Sequence, residues 1–562
     1  MLTTRRDLLG LGLAAASVTA GVFRVSEGAA QTPASTRYSP LFPALDQFVE
    51  QYMRDMNSPG MTLVLADRDG VQRVTTYGFS DLERQRHVAK DELFQIGSIS
   101  KSFLALVLLQ LHQEGKLDFH KPIADYLPWF RVQTHYAPVT VHHLLTHSSG
   151  LSAAGELFPA DSGERRVAWY APGEHFYYNN MAFQLLGILA WTLDGRDLSV
   201  QIRARLFKPL GMTQSESTID FDTRDRVAKS YAPFQPDRPY PRHGRLCEAP
   251  AIVTTNAAGS ILSTARDMGA YVHMLVNKGA GLVSPESFET FSKRHIAAED
   301  FGPGVGYGYG MAVDSLDGHK LIRHTGGMVS FMSSLMVDLD EGVGGFASIN
   351  AQQEYRPNPV VRYALQLMRA QRAAKPLPAS PSPNPASKIE KAAEYAGVFG
   401  GSAGMLEFAS EGTRLFLVRK GARVAIEPLS DAEQFHVDDP AFDRFALIFG
   451  RENGTVVEVG WGPDWYTNSG YTGPREFSVP AAWQALAGHY RTESAWTGSV
   501  HIVIRKGQLL YNGTSPLAAE GDLFRFHDEE FSTDWIRFGP VVNGRCMRLS
   551  YSGVDCQRVF VP

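Results

Sequence analysis

Phe94-Gln95-Ile96-Gly97-Ser98-Ile99-Ser100-Lys101-Ser102-Phe103 closes an extended run and opens a strongly apolar helix. Ser98 is therefore expected at a helix N-terminus, with Lys101 one turn on and on the same face. A serine hydroxyl is a weak nucleophile until a base removes its proton. The orphan N–H groups of a helix start stabilise negative charge that develops beside it. A spacing of three supplies both. Ser-x-x-Lys by itself also arises by chance or as a simple N-cap, so its meaning depends on the rest of the chain. Over residues 100–114 the helix is apolar almost all round (Phe103, Leu104, Leu106, Val107, Leu108, Leu109, Leu111), which predicts a buried helix ended by Gly115.

Two further motifs lie downstream. Pro172-Gly173-Glu174-His175-Phe176-Tyr177-Tyr178-Asn179-Asn180 precedes an apolar helix at 181–193, and Tyr178 and Asn180, two apart, point the same way in an extended segment. A phenol, with an ordinary pKa of ~10, serves as a base only where cations such as a lysine hold it anionic. The plain alternative makes the tyrosines core aromatics and Asn180 a helix cap. The third motif, Ile322-Arg323-His324-Thr325-Gly326-Gly327, reads as a strand followed by glycines that permit close backbone approach, as a substrate-lining edge requires. His147, in the turn Thr146-His147-Ser148-Ser149-Gly150, is expected to hold its loop rather than act as a base, and the adjacent His142 and His143 diverge too far to share a metal. Around these motifs, residues 44–56 read as an amphipathic helix and 61–66 with 71–77 as a hairpin. Residues 331–337 and 344–349 read as strands and 359–372 as a closing helix.

Ser98-x-x-Lys101, Tyr178-x-Asn180 and His324-Thr325-Gly326, in that order, resemble the serine β-lactamase and penicillin-binding-protein superfamily, in particular its class C-like branch of DD-carboxypeptidases, D-aminopeptidases and esterases. The phrases His143-Leu144-Leu145-Thr146-His147-Ser148-Ser149-Gly150-Leu151 and Lys208-Pro209-Leu210-Gly211-Met212 also resemble this family, and the likeness covers roughly residues 38–372. It implies an α+β fold: an antiparallel sheet flanked by helices, an inserted helical lobe, and the site between them. It further implies acyl-enzyme chemistry without metal or cofactor. Ser98 would attack a carbonyl, and Lys101 and Tyr178 would share the proton traffic, neither being sole base from sequence. The N–H groups of Ser98 and Gly327 would form the oxyanion hole, Asn180 would hold a substrate amide, and His324, Thr325 and Gly326 would line the cleft. Dedicated β-lactamases of this type carry lysine where His324 stands. A histidine, with an ordinary pKa of ~6.5, is a weaker anchor for a substrate carboxylate, so small peptides, amides or esters are expected as substrates. The rival readings are a penicillin-binding or sensor-like module with little turnover, and a true β-lactamase.

Composition bounds the rest. The 562 residues exceed one core, and a net charge of -5 without any basic block gives no sign of nucleic acid binding. Thr3-Thr4-Arg5-Arg6-Asp7-Leu8-Leu9 before a short apolar run looks like a twin-arginine export signal occupying residues 1–30, which would place the mature chain in the periplasm or outside the cell with no membrane anchor. Cys247, Cys546 and Cys556 match no metal-site spacing; the last two flank a hairpin turn at Ser552-Gly553 and are candidates for a disulfide. Whether two copies pair as a homodimer is left open.

The Pro/Ser-rich stretch 373–389 reads as an extended linker, after which short alternating strands predict an all-β region. Tyr395-Ala396-Gly397-Val398-Phe399 is echoed by Leu486-Ala487-Gly488-His489-Tyr490, and Phe435, Phe442 and Phe449 by Phe524, Phe531 and Phe538. Two repeats, 390–478 and 479–562, suit two up-and-down barrels, which weakly resemble the lipocalin-like barrels appended to D-aminopeptidase-type enzymes. In such enzymes a barrel loop reaches the cleft. The candidate here is Gly462-Pro463-Asp464-Trp465-Tyr466-Thr467-Asn468-Ser469-Gly470-Tyr471, with a seal between the barrels as the plainer alternative.

Overall fold

The computed structural model describes residues 36–152, 167–234, 237–239, 244–352, 357–381, 388–429, 433–494, 497–527 and 532–560. The expected export signal lies outside them. Among the described residues no helix is long and apolar enough to cross a membrane.

The first unit is built on nine antiparallel strands: β1 Gly60–Asp67, β2 Gly70–Asp81, β3 Arg86–His87, β4 Ile296–Ala297, β5 Gly306–Tyr307, β6 Ala312–Leu316, β7 His319–Met328, β8 Phe331–Asp338 and β9 Val343–Ile349. Their order in the sheet is β3-β2-β1-β9-β8-β7-β6-β5-β4. The two-residue alternation of a strand explains the layering. In β1, Leu63 and Leu65 face a core shared with helices α1 (Phe42–Asp55) and α5 (Asn358–Arg372). Val64 and Ala66 face a second core with α2 (Ser100–Gln113), α3 (Asn180–Asp194) and α4 (Ala265–Val276).

The helical lobe lies between β3 and β4, and α4 returns from it to pack on the sheet, so the sheet is completed only after this excursion. Helix α2 is buried from Ser100 through Leu109, as its all-round apolarity predicts. At ~1.5–3 kcal/mol for each large apolar side chain removed from water, it is the element around which the lobe condenses. Glu114 and Gly115 (φ +72°) end it.

Two closed eight-stranded barrels follow, each with its strands in sequential order. The first runs from Gly397–Gly401 to Asp464–Thr467 and closes by pairing Gly400 with Thr467; the second runs from Gly488–Arg491 to Val554–Arg558 and closes by pairing Tyr490 with Arg558. The repeat seen in the sequence is a repeat of core positions. Phe399 and Tyr490 stand at the same place in the two opening strands and both are fully buried. Phe435 and Phe449 pack 5.5 Å apart in the first barrel, and their counterparts Phe524 and Phe538 pack 5.1 Å apart in the second. Phe531 lies outside the described residues.

The linker is not a free spacer where it is described: Leu377 packs against the α1/α5 core and the Pro378 carbonyl accepts from the Tyr363 hydroxyl at 3.2 Å. The candidate disulfide does not form. Cys546 and Cys556 are both free and buried. The hairpin at Ser552-Gly553 is there, but its register sets Leu549 opposite Cys556, and the Cys546 thiol instead donates to the Arg548 carbonyl at 2.9 Å.

Candidate active site

Ser98 sits in a single 3-10 turn, Gly97–Ile99, that runs straight into α2. The turn is fixed from below: the Ile96 N–H donates to the Ile261 carbonyl (3.1 Å), the Ile261 N–H donates to Ser100 Oγ (3.2 Å), and Phe94–Gln95 pairs with Leu262–Ser263. Gly97 has φ +56°, and a Cβ there would stand 2.7 Å from the Gly327 backbone nitrogen. A Cβ on Gly326 would strike the Ile96 carbonyl. These glycines are what lets β7 approach the nucleophile turn, as the third motif implied. Strand β7 pairs with β8 along its length to Met328, but with β6 only as far as Arg323. Residues 324–328 therefore present, toward the turn bearing Ser98, an edge that β6 does not cover.

Lys101 is fully buried and its Nζ lies 3.1 Å from Ser98 Oγ, 2.7 Å from Asn180 Oδ1 and 3.1 Å from the Ala258 carbonyl. Burial pushes its pKa well below the ordinary 10.5, because nothing anionic is near enough to compensate the lost hydration. A neutral amine has two N–H donors and one lone pair. Two of its three neighbours, Asn180 Oδ1 and the Ala258 carbonyl, only accept, so in the neutral form the lone pair would face Ser98, to which the protonated form donates instead. Ser98 itself is half-buried, within reach of a substrate.

Asn179, not Asn180, caps α3: its Oδ1 accepts from the Ala182 N–H at 2.8 Å, which leaves the Asn180 side chain for Lys101. The Tyr178 ring lies 4.8 Å from Lys101 Nζ, so both members of the second motif reach the lysine. Behind Tyr178 stands His147, fully buried, its ring 4.4 Å from the tyrosine ring. Its Nδ1 accepts from the Asn179 N–H at 3.0 Å, which puts its proton on Nε2. Burial, then the nearby Lys101 and His324, hold its pKa well below 6.5, so it is a neutral strut for the Tyr178 loop rather than a base.

On β7, His324 is buried with Nδ1 2.7 Å from the Thr325 carbonyl and Nε2 2.9 Å from the Tyr307 hydroxyl. Burial raises the Tyr307 pKa well above 10, so the phenol keeps its proton, and it is free to donate to Nε2 when the histidine is neutral. The Thr325 carbonyl can only accept, so Nδ1 carries a proton and donates to it. Thr325, opposite Ser334 in register, continues the same strand. Phe301 closes over this wall, its ring 5.9 Å from Tyr178 and 5.8 Å from His324. The Ala258 carbonyl, Tyr307 and Phe301 were not singled out from the sequence; for Tyr307 the Gly304-to-Gly310 run of alternating glycines was the available signal.

On the Tyr177 side of the loop that carries Tyr178, the second barrel packs against the catalytic unit, a contact called the rim. Asp534 of the barrel accepts from the hydroxyls of Tyr177 (3.3 Å), Tyr551 (3.2 Å) and Ser552 (3.0 Å), and Ser532 Oγ lies 3.0 Å from the Tyr177 hydroxyl. Ser152 Oγ donates to the Thr533 carbonyl at 3.2 Å, and the Arg525 guanidinium lies 3.8 Å from the centre of the Trp169 ring. Of the two readings of residues 462–471, the plainer one, a seal between the barrels, is what the structure shows. Trp465 Nε1 donates to Glu458 (2.7 Å), which also binds Lys506 of the second barrel (2.8 Å), and Arg505 donates to the Gly462 carbonyl (2.8 Å). Residues 462–471 thus seal one barrel to the other. Among the described residues no metal-binding cluster lies at Ser98.

A serine and a buried lysine at a helix start, set against the open edge of an antiparallel strand, are the arrangement of a serine hydrolase. Residues 45–368, more than half of the chain, match the Beta-lactamase family, and the chain belongs to it. It is 28% identical over 316 residues to esterase EstB of Burkholderia gladioli, an alignment covering 48% of this chain and 79% of that one. It is also 28% identical over 284 residues to the putative penicillin-binding protein PbpX of Bacillus subtilis, covering 47% and 64%. Among solved structures, the octameric penicillin-binding protein homologue from Pyrococcus abyssi shares the fold, with a TM-score of 0.54, 23% identity and coverage of 76% and 100%.

Proposed function

We propose that this chain is an exported hydrolase that acylates Ser98 with small esters, amides or short peptides, D-amino acid derivatives among them, and releases the acyl group to water. The observation that carries this reading is the dehydrated Lys101 amine 3.1 Å from Ser98 Oγ. In the acylation step Lys101 takes the Ser98 proton as Oγ attacks the carbonyl. The N–H groups of Ser98 and Gly327 receive the oxyanion, and Tyr178 with Lys101 returns the proton to the leaving group. Asn180 and the edge of β7 from His324 through Gly327 hold the substrate. Water then attacks the acyl-enzyme and the same groups run in reverse.

Small substrates are favoured because Tyr177, Ser152 and the 532–534 segment of the second barrel stand together at the rim. His324, a titratable ring already bonded to Tyr307 and to the Thr325 carbonyl, offers no permanent cation to a β-lactam carboxylate, so β-lactams are expected as poor substrates or inhibitors. The esterase name of the Burkholderia relative supports the ester branch. The Arg5-Arg6 motif supports export to the periplasm or medium.

The test is hydrolysis of p-nitrophenyl esters, D-aminoacyl amides, D-Ala-D-Ala peptides and nitrocefin by the protein and its Ser98→Ala variant. Turnover of one class that vanishes with Ser98 supports the reading and selects the substrate. Labelling of Ser98 by penicillin with no turnover of any substrate would replace it with a sensor, and turnover of nitrocefin alone with a β-lactamase.

A further inference from the structure

His489 and His501 are directly opposite each other on the first two strands of the second barrel, with ring centres 4.1 Å apart. Their neighbours in sequence, Tyr490, Val500 and Ile502, fill the barrel, so strand alternation turns both histidines outward. There they meet the segment 237–239 of the catalytic unit and the 443–445 turn of the first barrel: Asp237 Oδ2 is 3.9 Å from His489 Nε2, Phe445 packs on His501, and Arg238 pairs with Asp443 at 2.5 Å. One ligand atom from each of Asp237, His489 and His501 lies within 4.8 Å of the other two. His489 Nε2 is buried and makes no hydrogen bond among the described residues.

We propose that Asp237, His489 and His501 form a zinc-type site that fastens the second barrel to the catalytic unit where all three units meet. Two imidazoles and a carboxylate, with water in the fourth position, are a common tetrahedral set; ligand bonds of about 2.1 Å would bring the donor atoms to about 3.4 Å of one another. The side chain of Asp237 is 35% exposed, which gives it room to close that gap and gives the ion an entry path. Burial keeps both histidines below their ordinary 6.5, in the deprotonated form a metal needs. Arg238, Arg444 and Arg491 also face the pair and oppose any cation. Asp443 offsets the first, and the imidazole donors make the site one for a transition metal rather than for calcium or magnesium.

The experiment uses untagged full-length protein stripped with a chelator, titrated with Zn2+ against a chromophoric competitor, and loaded with Co2+ for its visible spectrum. One equivalent of Zn2+, a tetrahedral Co2+ spectrum, and affinity weakened about hundredfold by His501→Ala and about tenfold or more by Asp237→Asn are expected. Hydrolysis at Ser98 reports whether each variant is folded. The proposal is overturned if the folded wild-type protein takes up no stoichiometric Zn2+, if the folded variants bind as well as it does, or if Co2+ gives only the weak octahedral spectrum. Should a variant lose hydrolysis, the wild-type stoichiometry and Co2+ spectrum still decide.

Discussion

Tyr177 and Tyr178 are neighbours in sequence and belong to opposite parts of the cleft. Tyr178 lies over the Lys101 amine, in a floor made wholly by the catalytic unit; Tyr177 turns to Asp534 and Ser532, in a rim that two units share. The floor is built around the buried Lys101 and its groups are held by backbone: α2, the cap of α3, and the glycine approach of β7. The rim is a set of hydroxyls around one carboxylate. The two side chains part within two residues because successive side chains of an extended segment point to opposite sides.

The largest effect expected is at the floor. Lys101→Met keeps the bulk of the side chain and removes the lone pair facing Ser98, so kcat/KM for the best ester should fall about 10³-fold or more, with Ser98 no longer labelled by an active-site acylating agent. The same lysine sets the pH dependence. Its lowered pKa means the amine is neutral, and active, below its usual range. Activity should rise with pH through an acid limb lying well below 10.5 and stay high above it. A limb at the ordinary lysine value in the pH profile of kcat/KM would mean that Lys101 is hydrated and charged.

Next are the two tyrosines, exchanged one at a time. Tyr178→Phe should lower kcat about 10²-fold on every substrate, since proton transfer to the leaving group is common to all. Tyr177→Phe should leave kcat on a small acetyl ester within about twofold and act only through the rim. Equal losses for the two would erase the division between floor and rim.

Asp534→Ala tests the rim from the barrel side. It strips the acceptor from three hydroxyls, and each one left buried costs about 1–3 kcal/mol, so a lower melting temperature is expected. With the clamp loosened, the ratio of kcat/KM for long against short acyl chains should rise severalfold. An unchanged ratio in a folded variant would remove the rim from substrate selection.

How much of this was legible follows the same division. The floor was readable because its chemistry needs fixed spacings: Ser98 and Lys101 one helical turn apart, Tyr178 and Asn180 two apart in an extended segment, glycines where β7 must approach. The barrels were readable as a repeat because Phe399 and Tyr490, and the phenylalanines after them, must fill equivalent interiors. The cap of α3 was misplaced by one residue in the alternative that assigned it to Asn180, since either asparagine satisfies the pattern and only the Lys101 contact distinguishes them. The rim was not readable. Ser152 and Asp534 are 382 residues apart, and no local pattern encodes which barrel surface meets the lobe. The aromatic run at 462–471 left two readings, of which the plainer, a seal, holds, because tryptophan and tyrosine suit a cleft and a domain seal equally well. The cysteine pair failed for a related reason: flanking a turn does not set two residues in register.

The smallest effect is expected where the rim was sought and not found. Trp465→Ala removes an indole that lies 5.4 Å from Lys506 Nζ and 5.6 Å from the Phe477 ring, and frees one Glu458 oxygen, all of it between the two barrels. The loss of packing should lower the melting temperature, while the preference for short over long acyl chains and the kcat on either should stay within about twofold of the parent, as for a residue that touches neither floor nor rim. If the substitution instead shifted acyl-chain preference as far as Asp534→Ala does, the seal between the barrels would have to move the 532–534 segment over the cleft, and the two barrels would act on substrate as a single body.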